Sequence, residues 1–241
     1  MLRLENVVKR FGGLVATDHM SFSIAPGESL GLIGPNGAGK TTIFSLIMGE
    51  HRPTSGAIKL RGHDITRLPT HTRIQRGISR TYQVPRPFPD MTVAENIRVG
   101  LMRDRLGDML FGRADPDAER DLALSVGFDA ADLTRLPSEL SMGDLRKLEL
   151  ARTLATGAGV LLLDEVFAGL TAGEIAQMSE LIQAKRAEGL TFIIVSHDLK
   201  ALEPLIDRTL AMAQGAMIAE GPFTQIIAQP AVRAAYLGDA A

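Results

Sequence analysis

The octapeptide Gly34-Pro35-Asn36-Gly37-Ala38-Gly39-Lys40-Thr41 restricts the possible folds more than any other stretch of the chain. It satisfies the G-x-x-x-x-G-K-[ST] pattern of a phosphate-binding loop (Walker A), and its setting is the one that pattern requires, a strand before and a helix after. Leu30-Gly31-Leu32-Ile33 runs straight into it as an apolar strand. Beyond it Ile43, Phe44, Leu46 and Ile47 recur at helical spacing until Gly49 and Pro53 end the pattern. Glycines are needed because successive backbone N–H groups must turn inward around an anion, where side chains would obstruct them. The following helix aims the positive end of its dipole at the same point. Lys40 can then reach the β- and γ-phosphates of a nucleotide, and the Thr41 hydroxyl can ligate Mg²⁺.

Two further runs, Val160-Leu161-Leu162-Leu163 and Phe192-Ile193-Ile194-Val195, are too apolar to alternate, so both are expected as strands of a parallel sheet buried on two sides. A helical stretch over residues 172–187, ended by Gly189, joins them in a βαβ crossover, right-handed by default. The first run delivers Asp164 and Glu165 to the carboxyl end of its strand, where open α/β sheets bind ligands. Asp164 suits the Mg²⁺ shell, and Glu165 suits the polarisation of an attacking water.

The rest of the chain supports one α/β domain with an insertion. Its 241 residues allow a single large core but not several independent domains. Short strands are expected at Leu2, Leu4, Asn6-Val7, at Phe22-Ser23-Ile24 before a Pro26-Gly27 turn, and over residues 57–60. Pro85, Pro87 and Pro89 make a stiff connector into a mostly helical stretch over 91–126 that Gly107 and Gly112 interrupt. A clear helix follows over 141–155, with Leu145, Leu148, Ala151 and Leu154 on one face; a hairpin at Gln214-Gly215 and a C-terminal helix end the chain. The division expected is a core of residues 1–84 and 156–241 and a helical subdomain over about 85–155. A formal charge of -2 gives no global reason to bind nucleic acid, and without cysteine there is no disulfide, thiolate metal site or thiol nucleophile. The N-terminus lacks a basic-then-apolar signal, and no apolar run approaches the roughly 20 residues of a membrane span, so any membrane is served from outside the bilayer.

The phosphate loop continued through Thr42, then Leu140-Ser141-Met142-Gly143-Asp144, then Leu161-Leu162-Leu163-Asp164-Glu165, resembles the ABC (ATP-binding cassette) ATPase family in order and spacing over nearly the whole chain. The resemblance implies a P-loop NTPase cassette with a RecA-like core, an N-terminal antiparallel β subdomain and an inserted helical subdomain. It also implies that Gly34 to Thr42 bind ATP and that Ser141 and Gly143 form the signature segment, which grips the γ-phosphate held by an opposite subunit. Met142 and Asp144 stand where the family carries glycine and glutamine. Ser141 is expected at a helix N-cap, with Asp144 as in a capping box.

Gln83 resembles the Q-loop glutamine, touching Mg²⁺ and water. His197 resembles the switch histidine at the γ-phosphate. Phe11 matches the aromatic that stacks on adenine, and its alternative is a place in the core of the N-terminal sheet. Ala168-Gly169-Leu170-Thr171 resembles the D-loop, with Val166 in place of a proline. Within the family, Arg10-Phe11-Gly12-Gly13-Leu14, Arg80-Thr81-Tyr82-Gln83, residues 91–97 and the ending Arg233-Ala234-Ala235-Tyr236-Leu237-Gly238 look like the branched-chain amino acid uptake ATPases, and equally like relatives handling urea or amides; the segment 102–118 is shorter than in many of them. Such a subunit is expected at the cytoplasmic face of the membrane and soluble when isolated. Its partners would be a separate permease, a second cassette (identical or not) and a periplasmic or extracellular solute-binding protein, and no nucleic acid. Residues 83–88 would receive a permease helix, with Arg86 and Phe88 as contacts. The alternative function is a non-transport ABC ATPase acting as a regulator or in nucleic-acid or ribosome work.

Overall fold

The computed structural model describes residues 1–102 and 115–237. The expected breaks at Gly107 and Gly112, most of the 102–118 segment and Gly238 lie outside the described residues.

Two sheets enclose the first helix. β1 (Leu2–Phe11) and β2 (Leu14–Ile24) form a long hairpin, to which β4 (Ser55–Leu60) and β5 (His63–Asp64) add in the order β2-β1-β4-β5. All its pairs are antiparallel. The second sheet runs β10-β9-β3-β8-β7-β6, from β3 (Ser29–Ile33), β6 (Ile78–Arg80), β7 (Val160–Asp164), β8 (Thr191–Val195), β9 (Arg208–Ala213) and β10 (Ala216–Gly221). Five strands of it are parallel and β10 closes one edge antiparallel, through the hairpin expected at Gln214-Gly215.

The apolar strands divide between two cores as period-2 geometry demands. Val160, Leu162, Ile193 and Val195 face α1 (Lys40–Met48) and the antiparallel sheet, while Leu161, Leu163, Phe192 and Ile194 face α6 (Ala172–Ala187), the short α7 (Leu199–Leu202) and the C-terminal α8 (Phe223–Ala228). A third cluster lies among α3 (Val93–Leu101), α4 (Pro116–Ser125) and α5 (Met142–Ala155), built on Val93, Ile97, Ala123, Phe128 and Leu148. α9 (Pro230–Leu237) ends the described chain.

Three expectations need correction. The N-terminal strands are not short: β1 and β2 run ten and eleven residues, and their alternation is disguised because Asn6 and His19 adopt left-handed backbone (φ 47° and 46°) where the register shifts. α2 (Thr70–Gln75) and β6 had not been expected; β6 is three residues with a Ser and an Arg, held in place by β7. Third, Ser141 does cap α5, accepting the Asp144 N–H at 3.1 Å, but the Asp144 carboxylate takes the Ser141 hydroxyl at 2.9 Å, whereas in a capping box the N3 carboxylate accepts the N-cap backbone N–H.

Candidate nucleotide site

β3, β7 and β8 end at the same rim of the sheet, and the cleft there encloses about 570 Å³. Its walls bring together Phe11, Asn36 to Thr42, Gln83, Asp164, Glu165 and His197, residues from five separate stretches of sequence. Gly34 and Pro35 do not line the cleft, but their carbonyls hold Lys40, whose Nζ donates to them at 2.5 and 3.0 Å.

Two of the loop's three glycines are fixed by close backbone approach, and the third, Gly37, has open space around it but left-handed backbone. A Cβ on Gly34 would lie 2.3 Å from the Met212 carbonyl oxygen, and one on Gly39 would lie 2.5 Å from that of Ala16, at φ +102°. Gly39 is also the N-cap of α1, so no side chain caps the helix, and its first turn carries no acidic residue. An anion is what such an uncapped, left-handed turn accommodates. Lys40 is buried, and burial pulls its pKa below the ordinary lysine value, while the charges of Glu165 and Asp164 pull it back up.

Glu165 stands in left-handed backbone (φ 51°), fixed by its N–H donating to the Val195 carbonyl at 2.9 Å. Such strain at a non-glycine residue is retained where its side chain must point in one direction. That side chain meets His197: Oε2 accepts the His197 backbone N–H at 3.1 Å, and Oε1 lies 3.3 Å from Nε2. The carboxylate is buried and the imidazole half exposed, so the pair faces the cleft with its histidine outermost. Asp164 is engaged differently. Arg80 Nη2 donates to its Oδ2 at 2.6 Å, and the same guanidinium reaches Glu50 Oε2 at 3.1 Å.

The oxygens of Thr41, Gln83 and Asp164 suit a hard cation. Among the described residues no cluster of three or more acidic, histidine or cysteine side chains could hold a metal alone. Phe11 is 42% exposed at the cleft mouth, edge-on to His51 and beneath Lys9, which removes it from the core alternative.

Ser141 and Gly143 are not in this cleft. They sit at the start of α5, where Gly143 N–H donates to Glu174 Oε1 at 3.2 Å. Sequence reasoning missed two residues. Arg80 lies 84 positions from its Asp164 partner, and Tyr236 accepts the Gly34 N–H on its hydroxyl at 2.8 Å from 202 positions away. Both stand in stretches that carry the family resemblance, but nothing local marks their contacts.

The family model for ABC transporters matches residues 17–168, and one described as a branched-chain amino acid ATP-binding cassette transporter matches 216–241. The high-affinity branched-chain amino acid transport ATP-binding protein LivG of Escherichia coli is 36% identical over 252 residues, covering 100% of this chain and 98% of its own. The corresponding BraF protein of Pseudomonas aeruginosa is 35% identical, with the same coverage. Among solved structures, the ADP conformation of an ATP-binding cassette of an ABC transporter superposes with a TM-score of 0.87 at 28% identity, covering 99% of both chains. Among the described residues no helix is long and apolar enough to cross a membrane. Motif order, site geometry and full-length similarity agree: the chain belongs to the ABC transporter family, as an ATP-binding cassette that hydrolyses ATP in the service of transport.

Proposed function

We propose that this chain is the ATPase subunit of an uptake system for branched-chain amino acids or a related small polar solute, bound peripherally to a separate permease at the cytoplasmic face of the membrane. The C-terminal family match and the names of the full-length relatives support the solute class. A solute-binding protein and a second cassette, identical or related, complete the system.

The observation that carries the chemistry is the buried Glu165 carboxylate touching His197 beside the Lys40 loop. In this reading the phosphate loop and Lys40 hold the ATP phosphates, and Phe11 stacks on the base. Thr41 and Asp164, with Gln83 alongside, would hold Mg²⁺, which would neutralise phosphate charge. Glu165 accepts a proton from the attacking water as its oxygen bonds to the γ-phosphorus and the bond to the bridging oxygen of ADP breaks. His197 orients the γ-phosphate and senses its departure. Two cassettes meet head to tail, Ser141 and Gly143 of each closing on the other's ATP, so binding favours the closed dimer and phosphate loss reopens it. Gln83 to Phe88, beside a groove lined by Tyr82 and Arg86, pass that motion to the permease.

Phosphate release by the wild type and by Glu165→Gln tests the reading. At neutral pH the variant is expected to bind ATP normally and turn over about 10² to 10⁴ times more slowly. Equal rates would remove Glu165 as the base. Reconstitution with the co-purified permease, driven by leucine, isoleucine or valine against urea and short amides, tests the solute.

A further inference from the structure

The two donors assigned to a partner's γ-phosphate are both already engaged by carboxylates of this chain. Ser141 Oγ donates its hydrogen to Asp144 Oδ2 at 2.9 Å and accepts the Asp144 N–H at 3.1 Å. Gly143 N–H donates to Glu174 Oε1 at 3.2 Å. Glu174 is held in front of α5 from behind, because its Oε2 accepts both the N–H and the hydroxyl of Thr171 at 2.8 Å in the capping box of α6. The approach is close, since a Cβ on Gly143 would lie 2.4 Å from Glu174 Oε1. Hydrogen bonds from the Thr171 backbone and side chain, and then from Gly143, hold the Glu174 pKa below its ordinary value, so the group is charged at neutral pH. Lys147 Nζ, 3.2 Å from Asp144 Oδ1, steadies the other carboxylate.

We propose that Asp144 and Glu174 are built-in counter-anions of the signature segment, occupying the Ser141 and Gly143 donors in the open subunit and setting the ATP concentration at which the dimer closes. The inference rests on the head-to-tail reading above. A triphosphate cannot reach these donors while two negative charges sit on them, so closure requires both carboxylates to turn aside. The geometry allows this for Glu174 without loss of its cap: Oε2 stays on Thr171 while Oε1 leaves Gly143. Asp144 can turn toward Lys147, releasing the Ser141 hydroxyl.

The test follows ATP-dependent association by analytical ultracentrifugation in a Glu165→Gln background, for the chain alone and mixed with the cassette that co-purifies with its permease. Glu174→Gln keeps the α6 cap, which glutamine also serves, and Asp144→Asn keeps an acceptor for Ser141. Each is expected to lower the ATP concentration of half-association about five-fold at low salt, the effect of one unit charge removed near 4 Å in a solvated site. The difference is expected to narrow at about 0.5 M salt, a response that a purely structural role would not give. An unchanged or raised midpoint in both variants overturns this inference alone. Absence of ATP-dependent association in the Glu165→Gln parent, alone and in the mixture, overturns the head-to-tail reading and the inference with it.

Discussion

In the proposed mechanism Lys40 binds phosphate as the ammonium, and burial in the cleft works against that form. Burial lowers its pKa, and the carboxylates of Glu165 and Asp164 partly restore it. Affinity for ATP is therefore full below the Lys40 pKa in the folded protein and is lost as pH rises through it. Removing the Glu165 charge lowers that pKa further. Glu165→Gln is therefore expected to begin losing ATP affinity at a lower pH than the wild type, in nucleotide titrations run between about pH 7 and the ordinary lysine value near 10.4. Coincident alkaline limbs in the two proteins would show that the carboxylate does not support the lysine. The same residue illustrates what a sequence discloses. Lys40 and Glu165 were legible because local motifs mark them, whereas the Arg80 contact that occupies one oxygen of Asp164 depends on β6 lying beside β7, which no local pattern announces.

Among elements, α1 carries the phosphate loop on its first turn, so what anchors its last turn also positions the site. Gly49 ends it in left-handed backbone (φ 79°), and the terminal carbonyls of Leu46 and Ile47 accept from Arg73 Nη1 at 2.6 and 2.8 Å. Arg73, from α2, is fully buried and also donates to the carbonyls of Leu68 and Thr66. Burial lowers its pKa to about 10, still high enough to keep the guanidinium charged at neutral pH. Arg73→Met fills the volume but removes the donor to four carbonyls, those of Leu46 and Ile47 buried and those of Thr66 and Leu68 partly buried, with an expected loss of about 3 kcal/mol in urea unfolding. A loss below about 1 kcal/mol would mean that α1 is anchored by its apolar face alone. Legibility at this scale follows the source of each element's stability. β7, β8 and α5 were readable because their own apolar patterns bury them on known faces. α2 and β6 were not, since a six-residue helix and a three-residue strand derive their stability from neighbours. The N-terminal hairpin was half readable, its alternation interrupted at Asn6 and His19.

At the scale of the molecule, the cleft and the signature helix must communicate although they share no wall, and Arg146 is the side chain that spans them. It stands on α5, almost fully buried, and donates to the carbonyls of Tyr82 at 2.8 Å and Gln83 at 2.6 Å, with the carbonyl of Ala168 at 3.4 Å and the Glu149 carboxylate at 3.4 Å. One guanidinium thus ties the segment before the prolines, the start of α5 and the loop after Glu165. Glu149 reinforces the junction by accepting the Tyr82 N–H at 2.7 Å, and burial raises its pKa, so loss of Arg146 would leave a half-desolvated acid beside unsatisfied carbonyls. Arg146→Met is expected to cost about 3 kcal/mol and lower the melting temperature by roughly 6–12 °C. Because Arg146 does not line the cleft, ATP affinity should change less than about three-fold, while turnover, which in the proposed mechanism needs Gln83 and the Ala168 loop in register, should fall about ten-fold or more. Calorimetry, nucleotide titration and phosphate release on one preparation separate the three effects. A variant that loses stability yet keeps full turnover would confine Arg146 to packing and leave the coupling between cleft and signature helix to the backbone.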